Sequence, residues 1–307
     1  MKLRSTKKIR TGVQILMVVQ LLLTTACSVL LRPPKTITIA SKSFSEGLII
    51  GEMYSQLLES NGFKVNLKPG MGETPDLQQA ILSGQIDLYP EYTGTALLTV
   101  LKLPSESNPK LVYDTVASQY KKQFNLVWLD PAPMNNTQAL AMTQAGSKHY
   151  GITTISEMAA KADQLIMAGP PEFRQREDGL PGLIKAYGNF YLFEYKDVDP
   201  SLRYQILTSG QADVVVAFAT DGEISADNLV VLKDDKHFYP PYQVAPVIRQ
   251  QVLDKYPEIK DILNKLAPLL TDEVMRKLNY QATGLFRDPA NIAKDFLTQQ
   301  GLIKPSD

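Results

Sequence analysis

The sequence alternates β-branched apolar runs with amphipathic helical runs, and this pattern constrains the fold more than any other feature. The run 36–40, Thr-Ile-Thr-Ile-Ala, alternates as a strand does. The next run has apolar residues at helical spacing, and Ser43 and Glu46 fit a capping box at its start. Strands that alternate with helices predict an α/β fold built on parallel sheet.

The alternation continues through the rest of the chain. Thr74-Pro75 is typical of a helix start, and Gly84 of the end of that helix. Further strands are expected at 62–67, 86–89, 138–142, 164–167, 213–218 and 229–232. Further helices are expected at 96–101, 155–161, 173–187, 202–209, 247–254, 257–268, 271–281 and 289–300.

Two proline-rich segments interrupt the pattern, at 130–137 and 234–246. Two such interruptions indicate that the chain crosses twice between two lobes. We therefore expect a discontinuous first lobe and a second lobe inserted into it. The expected bounds are 36–137 plus 245–307 for lobe 1 and 138–244 for lobe 2. A cleft between lobes is a frequent place for a small-molecule site.

The N-terminus has the pattern of an export signal. A basic segment is followed by an apolar stretch too short to span a bilayer, and then by Thr-Thr-Ala-Cys27. Cys27 is the only cysteine and stands where a bacterial lipoprotein carries its lipid. We expect residues 1–27 to be a lipoprotein signal peptide and 28–35 a tether, with the protein exported and lipid-anchored to the membrane. The alternative is an ordinary signal peptide with a chance cysteine.

Several function classes find no support in the residue inventory. A single cysteine excludes a disulfide within the chain, and two histidines offer little for metal or acid–base chemistry, so we expect no metal, no cofactor and no catalysis. The full chain is neutral, and residues 1–26 hold five basic residues and no acidic ones. The remainder is therefore acidic, which does not suit nucleic-acid binding.

Polar and aromatic residues cluster where predicted strands end. Lys42 lies beside the first helix start, where backbone N–H groups and a positive charge suit a carboxylate. Arg176 could bind a carboxylate with two hydrogen bonds. The other clusters are 87–95, 217–222 and 234–242. Each segment alone also fits ordinary loop packing or a solvated surface.

Taken together, these segments resemble one family. The motifs are Ser41-Lys-x-Phe-Ser-Glu, Ile86-Asp-Leu-Tyr-Pro-Glu-Tyr-Thr-Gly-Thr, Asn135-Asn-Thr-x-Ala-Leu-Ala-Met, Glu172-Phe-x-x-Arg-x-Asp-Gly, Thr220-Asp-Gly and Leu232-x-Asp-Asp-Lys. In this order they are similar to the substrate-binding proteins of glycine betaine/carnitine/choline (osmoprotectant) ABC transporters, of the YehZ-like and OpuC-like kind. The resemblance runs from about residue 36 to the C-terminus.

The resemblance implies a type II periplasmic-binding-protein fold and a monomer that delivers its solute to ABC permease subunits. It also implies a ligand held at two ends. Lys42, Thr95 and Arg176 align with the family's carboxylate-binding residues. The aromatic cage for a trimethylammonium head aligns with Tyr92, Gln138, Phe218 and Tyr242, and Asn136 lies beside it.

The chain departs from the family at the cage. The family usually has Tyr or Trp at Gln138 and Tyr at Phe218, so the resemblance implies an altered cation end. Glycine betaine or a relative is the first ligand expected, and an amino-acid derivative whose N–H groups suit Gln138 is the second. Choline, which lacks a carboxylate, comes last. Two other roles are an enzyme on the same scaffold and a domain of a permease that no longer transports.

Overall fold

The computed structural model describes residues 34–175, 177–199 and 202–305. Its strands are β1 Lys35–Ala40, β2 Phe63–Lys68, β3 Leu88–Tyr92, β4 Leu126–Trp128, β5 Gln138–Met142, β6 Ile166–Gly169, β7 Glu194–Asp197, β8 Val214–Phe218, β9 Val230–Val231 and β10 Val244–Arg249. Its main helices are α1 Ser45–Ser60, α2 Thr74–Ser83, α3 Pro109–Phe124, α4 Gln144–Tyr150, α5 Ile155–Ala159, α6 Leu180–Tyr187, α7 Arg203–Thr208, α8 Gly222–Ala226, α9 Gln250–Lys255, α10 Glu258–Asn264, α11 Asp272–Thr283 and α12 Pro289–Gln299. Strands and helices alternate as the sequence predicts.

Two five-stranded sheets organise the molecule. The first sheet has the order β2-β1-β3-β10-β4, with β1 and β3 parallel. The second sheet has the order β7-β6-β8-β5-β9, with β6 parallel to both β7 and β8. The expected parallel sheet describes only part of each sheet, because β10 runs antiparallel to β3 and β4, and β5 runs antiparallel to β8 and β9.

The antiparallel strands follow from the path of the chain. It leaves the first sheet after β4, builds the whole second sheet, and returns to the first sheet as β10. The two crossing segments are hydrogen-bonded to each other, with Asn136 N–H donating to the Tyr242 carbonyl at 3.1 Å. The Tyr242 N–H donates in turn to Asn135 Oδ1 at 2.6 Å. The crossings therefore lie side by side at the boundary between the sheets.

Helices cover both faces of each sheet. On one face of the first sheet, α1 packs with α10, α11 and α12 around residues such as Met53, Leu263 and Leu278. On its other face, α2 and α3 pack on the sheet in a cluster that includes Tyr120 of α3 and Trp128 of β4. In the second sheet, α5 and α6 cover one face and α7 the other. Burial on both faces explains the continuous apolar runs of strands such as β6 and β8.

Helix α11 connects the two sheet systems away from the crossings. Its Arg276 Nε donates to the Ala219 carbonyl at 2.6 Å. Its Asn279 Nδ2 donates to the Thr220 carbonyl at 2.7 Å. A Cβ on Gly222 would lie 2.4 Å from the backbone nitrogen of Tyr280, so glycine is required where α8 and α11 meet.

The start of α1 differs from the predicted capping box. The helix begins at Ser45, and Phe44 at its N-cap makes no side-chain capping bond. Ser43 Oγ instead donates to Glu73 Oε1 at 2.8 Å. Glu46 is buried and accepts hydrogen bonds from other elements, so neither partner of the expected box caps the helix. The start of α2 is as predicted, with Pro75 in its first turn and Gly84 left-handed at its end.

Three predicted helices have other bounds. Residues 247–249 belong to strand β10, and the helix there begins at Gln250. The expected helix 173–187 is a 3₁₀ turn, Pro171–Arg174, followed by α6. The expected helix 96–101 is a π-type turn, Ala96–Val100. The helices α3, α4 and α8 and the strands β4, β7 and β10 were not predicted. Within the described ranges, we find no helix with the length and apolar character needed to cross a membrane.

Candidate ligand-binding cavity

A cavity of about 720 Å³ lies between the two sheets. Its wall includes residues of the first sheet and of α1 on one side, and residues that follow β8 on the other. Seven of the residues predicted from sequence line it: Lys42, Tyr92, Thr95, Asn136, Gln138, Phe218 and Tyr242. Arg176 and Cys27, the other two predicted residues, lie outside the described residues.

The end of strand β3 delivers Tyr92 and Thr95 to the cavity. All five residues of β3 are buried, and the chain then turns through Thr93–Thr95 into the π-type turn. The turn is held by the Thr93 N–H, which donates to the Gln243 carbonyl at 2.9 Å. A Cβ on Gly94 would lie 2.7 Å from the Pro241 carbonyl oxygen, so this close approach of turn and crossing requires glycine.

Aromatic rings form part of the cavity wall. The Phe44 and Tyr92 rings lie 6.0 Å apart between centroids with an interplanar angle of 39°. Phe218, at the end of β8, is 45% exposed, and Tyr242 lies on the returning crossing. These four rings come from both sides of the cavity. Ring faces that border a cavity suit a cation without N–H groups.

Glu46 is a carboxylate of the cavity wall with several hydrogen-bond donors around it. It accepts from Tyr92 Oη at 2.7 Å, from Asn136 Nδ2 at 2.9 Å and from Asn279 Nδ2 at 2.8 Å. Burial raises the pKa of Glu46, although hydrogen bonds from these residues and from Thr220 oppose the increase. The carboxyl group therefore lies behind the Tyr92 hydroxyl, where its ionised form would favour a cation in the cavity.

Lys42 is already paired with a carboxylate. Its Nζ lies 2.6 Å from Glu91 Oε1, and the two side chains are 5% and 0% exposed. Glu91 also accepts from Thr74 Oγ1 at 3.0 Å and from the Tyr92 N–H at 2.7 Å. Because an ammonium has three N–H donors, Lys42 keeps donor capacity for a ligand carboxylate.

A second cation of the wall, Arg203, comes from α7. Its Nη2 lies 2.6 Å from Asp221 Oδ2. The same carboxylate oxygen accepts from Tyr204 Oη at 2.6 Å and from the Phe218 N–H at 2.7 Å. Asp221 thereby fixes the end of β8 and the guanidinium together. Lys42 follows β1 of the first sheet, whereas Arg203 belongs to a helix that packs on the second sheet.

Gln138 is the first residue of β5 and pairs in register with Phe218 of β8. Its Nε2 donates to Asp178 Oδ2 at 3.4 Å. Its Oε1 is buried and has no hydrogen-bond partner among the described residues. A buried acceptor without a donor costs about 1–3 kcal/mol.

Four polar residues of the cavity region were missed at the level of sequence. Glu46 belongs to the first family motif. Because it also fits a capping box with Ser43, its position at the cavity was not predicted. Asp221 likewise stood in the Thr-Asp-Gly motif and was given no role. Arg203 and Asn279 carry no local signal, because each reaches the cavity from a helix that looks ordinary in sequence. No set of three metal-ligating side chains occurs in the part of the chain that the structure describes.

Two mixed sheets joined by two crossings, with a cavity between them, define the class of two-lobed solute-binding proteins. A solved glycine betaine/carnitine/choline ABC transporter structure superposes with a TM-score of 0.84 at 31% identity, covering 87% of this chain and 99% of that one. The predicted type II periplasmic-binding-protein fold is confirmed. The chain belongs to the family of the substrate binding domain of the ABC-type glycine betaine transport system, which matches residues 35–299.

Two curated relatives contain the same domain, one as most of its chain and the other as about half of its chain. The carnitine transport binding protein OpuCC of Listeria monocytogenes is 32% identical over 275 residues, which are 88% of each chain. The ergothioneine transport permease/ergothioneine binding protein EgtU of Helicobacter pylori is 39% identical over 269 residues. The match covers 87% of this chain but 48% of that protein, so the chain spans about half the length of that relative.

The family assignment confirms the predicted role. The protein is the extracytoplasmic substrate-binding component of an ABC transport system. Members of the family are transport components, so the alternative of an enzyme on this scaffold is not supported.

Proposed function

We propose that the protein binds a quaternary ammonium compound that carries a carboxylate, a betaine, in the cavity between its two sheets and delivers it to an ABC importer. Curated relatives are named for the binding of carnitine, glycine betaine and ergothioneine. All three compounds join a trimethylammonium group to a carboxylate. That shared chemistry requires one cation end and one anion end in the same cavity.

The observation that carries the proposal is the set of four rings at the cavity wall in front of a buried carboxylate. Tyr92 lines the cavity, its hydroxyl donates to Glu46, and Lys42 Nζ lies 5.2 Å from the centroid of its ring. A trimethylammonium group offers no N–H, so ring faces and a negative charge behind them are its best partners. Phe44, Phe218 and Tyr242 supply further ring faces.

The anion end is assigned to Lys42, Thr95 and Arg176. Lys42 and Thr95 line the cavity, and Lys42 retains donors beyond its bond to Glu91. Arg203 adds a second guanidinium to the residues that line the cavity. A carboxylate between charged donors is held more strongly than one between neutral donors.

The test is calorimetric titration of the protein, unfolded and refolded to remove carried-over solute, with glycine betaine, carnitine and ergothioneine. We expect at least one betaine to bind and Phe218→Ala to weaken its binding by about two- to thirtyfold, the value of one ring face for a cation. Phe286→Ala is the matched control, since Phe286 is 88% exposed and does not line the cavity. Arg176→Ala tests the anion end in the same assay. Failure of every betaine to bind would refute the proposal.

The membrane attachment is assigned to Cys27, which would carry a lipid after removal of the preceding residues. Support comes from the sequence, in which Cys27 is the only cysteine and follows an apolar stretch. We propose a monomer anchored in this way, beside the permease. Cys27→Ser should move the protein from the membrane to the soluble fraction of cells and abolish incorporation of labelled fatty acid. Retention of the variant in the membrane fraction would refute the anchor.

A further inference from the structure

We propose that Arg203 binds the carboxylate of the solute and that Asp221 is the positioning residue that holds the Arg203 guanidinium at the cavity. This inference rests on the proposed betaine function and deepens it, because it adds to the anion end a donor from α7 and the residue that fixes this donor. Neither Arg203 nor Asp221 is among the carboxylate-binding positions that the family resemblance implies.

Asp221 fixes three groups through one carboxylate oxygen. Its Oδ2 accepts from Arg203 Nη2 at 2.6 Å, from Tyr204 Oη at 2.6 Å and from the Phe218 N–H at 2.7 Å. Tyr204 and Phe218 supply neutral donors, and two donors satisfy the two lone pairs of an oxygen. Arg203 is therefore not required to satisfy Asp221, whereas Asp221 supplies the counter-charge that a partly buried guanidinium requires.

The Arg203 guanidinium is held at an edge and over a face. Nη2 is bound to Asp221, and the central carbon Cζ lies 4.8 Å from the centroid of the Tyr204 ring. A planar group held in these two ways has its orientation set before a solute arrives. Such a preorganised donor spares part of the ordering cost of binding.

Stability alone does not account for a charged pair at this place. The Arg203 and Asp221 side chains are 14% and 20% exposed, and replacing a buried ion pair by apolar residues is often neutral or stabilising. Both residues line the cavity. A guanidinium has five N–H donors, of which one carboxylate oxygen engages only a part, and its geometry matches that of a carboxylate. The location and chemistry of the pair thus suit a ligand carboxylate.

The chain contains a second group of the same residue types away from the cavity. Arg174 Nη1 lies 3.0 Å from Asp197 Oδ2, and the Arg174 Cζ lies 5.5 Å from the centroid of the Tyr195 ring. The Arg174 and Asp197 side chains are 49% and 43% exposed, and neither residue lines the cavity. This exposed pair is therefore a matched control for the pair at the cavity.

The test is a double-variant cycle in calorimetric titrations of the refolded protein with glycine betaine. Arg203→Met removes the guanidinium and should weaken binding about ten- to hundredfold, the value of a hydrogen bond to a charged group. Asp221→Asn keeps an acceptor but removes the counter-charge, and should weaken binding about tenfold. The double variant should bind no more weakly than Arg203→Met alone, because Asp221 acts through Arg203. Arg174→Met and Asp197→Asn should leave the affinity unchanged.

Choline provides a readout that a purely structural role would not move. It has the trimethylammonium group of glycine betaine and a hydroxyl in place of the carboxylate. Arg203→Met should therefore lower the ratio of glycine betaine affinity to choline affinity, whereas a general loosening of the cavity would weaken both. Arg203→Lys keeps the charge opposite Asp221 and loses the planar fork, so it should fold normally and still lower this ratio.

The outcomes separate this inference from the betaine proposal. Losses that add in the double variant, or an affinity ratio that neither Arg203→Met nor Arg203→Lys changes, would overturn the roles of Asp221 and Arg203 while the betaine proposal stands. The comparison uses variants that unfold cooperatively near the wild-type temperature. If the wild-type protein binds no betaine, the proposed function itself fails.

Discussion

The buried pair of Lys42 and Glu91 offers the sharpest test of how the cavity wall is held. Replacing Glu91 with glutamine keeps the size of the side chain, but its single amide oxygen can accept either from Thr74 Oγ1 or from the Tyr92 N–H, which bond to different oxygens of Glu91. It removes the charge that faces the Lys42 ammonium. Lys42 then has a full positive charge, with 5% of its side chain exposed and no carboxylate at 2.6 Å.

The expected loss of stability is large because the pair is buried. Removing one partner of a buried ion pair typically costs about 3–5 kcal/mol, since the other charge remains without compensation. In a chain of this size 1 kcal/mol corresponds to roughly 2–4 °C, so Glu91→Gln should lower Tm by roughly 6–20 °C. A carboxylate-bearing ligand beside Lys42 should recover part of this loss.

The assay is thermal unfolding followed by circular dichroism, with and without a saturating betaine. Glu273→Gln is the matched control, because Glu273 forms an exposed pair with Lys277 and its loss should leave Tm unchanged. Replacing both partners, Lys42→Met with Glu91→Leu, should restore much of the stability. A Glu91→Gln protein that melts like the wild type would refute the reasoning.

Three further predictions concern Glu46 and the contact of α11 with the second sheet system. Burial raises the pKa of Glu46, so a proton neutralises its carboxylate at a higher pH than usual. The affinity for a betaine, measured by calorimetry, should therefore fall as the pH decreases through that pKa. The Glu46→Gln variant should bind the betaine weakly and without this pH dependence. A pH-independent wild-type affinity would contradict this role. Gly222→Ala should destabilise the protein by about 1–3 kcal/mol in urea, because its Cβ would collide with the Tyr280 backbone, whereas the exposed Ser225→Ala should not. Asn279→Leu should lower the free energy of unfolding by about 1–3 kcal/mol in the same urea titration, because Glu46 and the Thr220 carbonyl lose the amide that donates to both. An unchanged unfolding midpoint would show that this bridge is dispensable.

Most of the α/β pattern could be predicted because buried strands and amphipathic helices have distinct periods in sequence. Strand β10 could not, since its run Val-Ala-Pro-Val-Ile-Arg contains a proline in a central strand. The structure shows why Pro246 is tolerated: it pairs in register with Pro90 of β3, so the two missing N–H donors fall at one position of the ladder. That pairing joins distant parts of the chain and leaves no local signal.

The candidate site was predictable where motifs place residues at strand ends, as for Tyr92 and Phe218. It was not predictable where a helix from a distant part of the chain completes the wall. Arg203 and Asn279 reach the cavity from α7 and α11, and only the packing of those helices makes them neighbours of Asp221 and Glu46. Sequence patterns report local periodicity, and these contacts depend on tertiary arrangement.

The central position of β10 in the first sheet also sets an order of events during synthesis. The strands of the second sheet, from β5 to β9, are contiguous in the chain and are complete before β10 is made. Until then β3 and β4 lack the strand that joins them, and their edges are open to wrong pairing. The second sheet can therefore fold early, while closure of the first sheet depends on long-range contacts and comes late and slowly. Variants that slow the arrival of β10, rather than those that weaken the finished protein, should be the ones that aggregate in the cell.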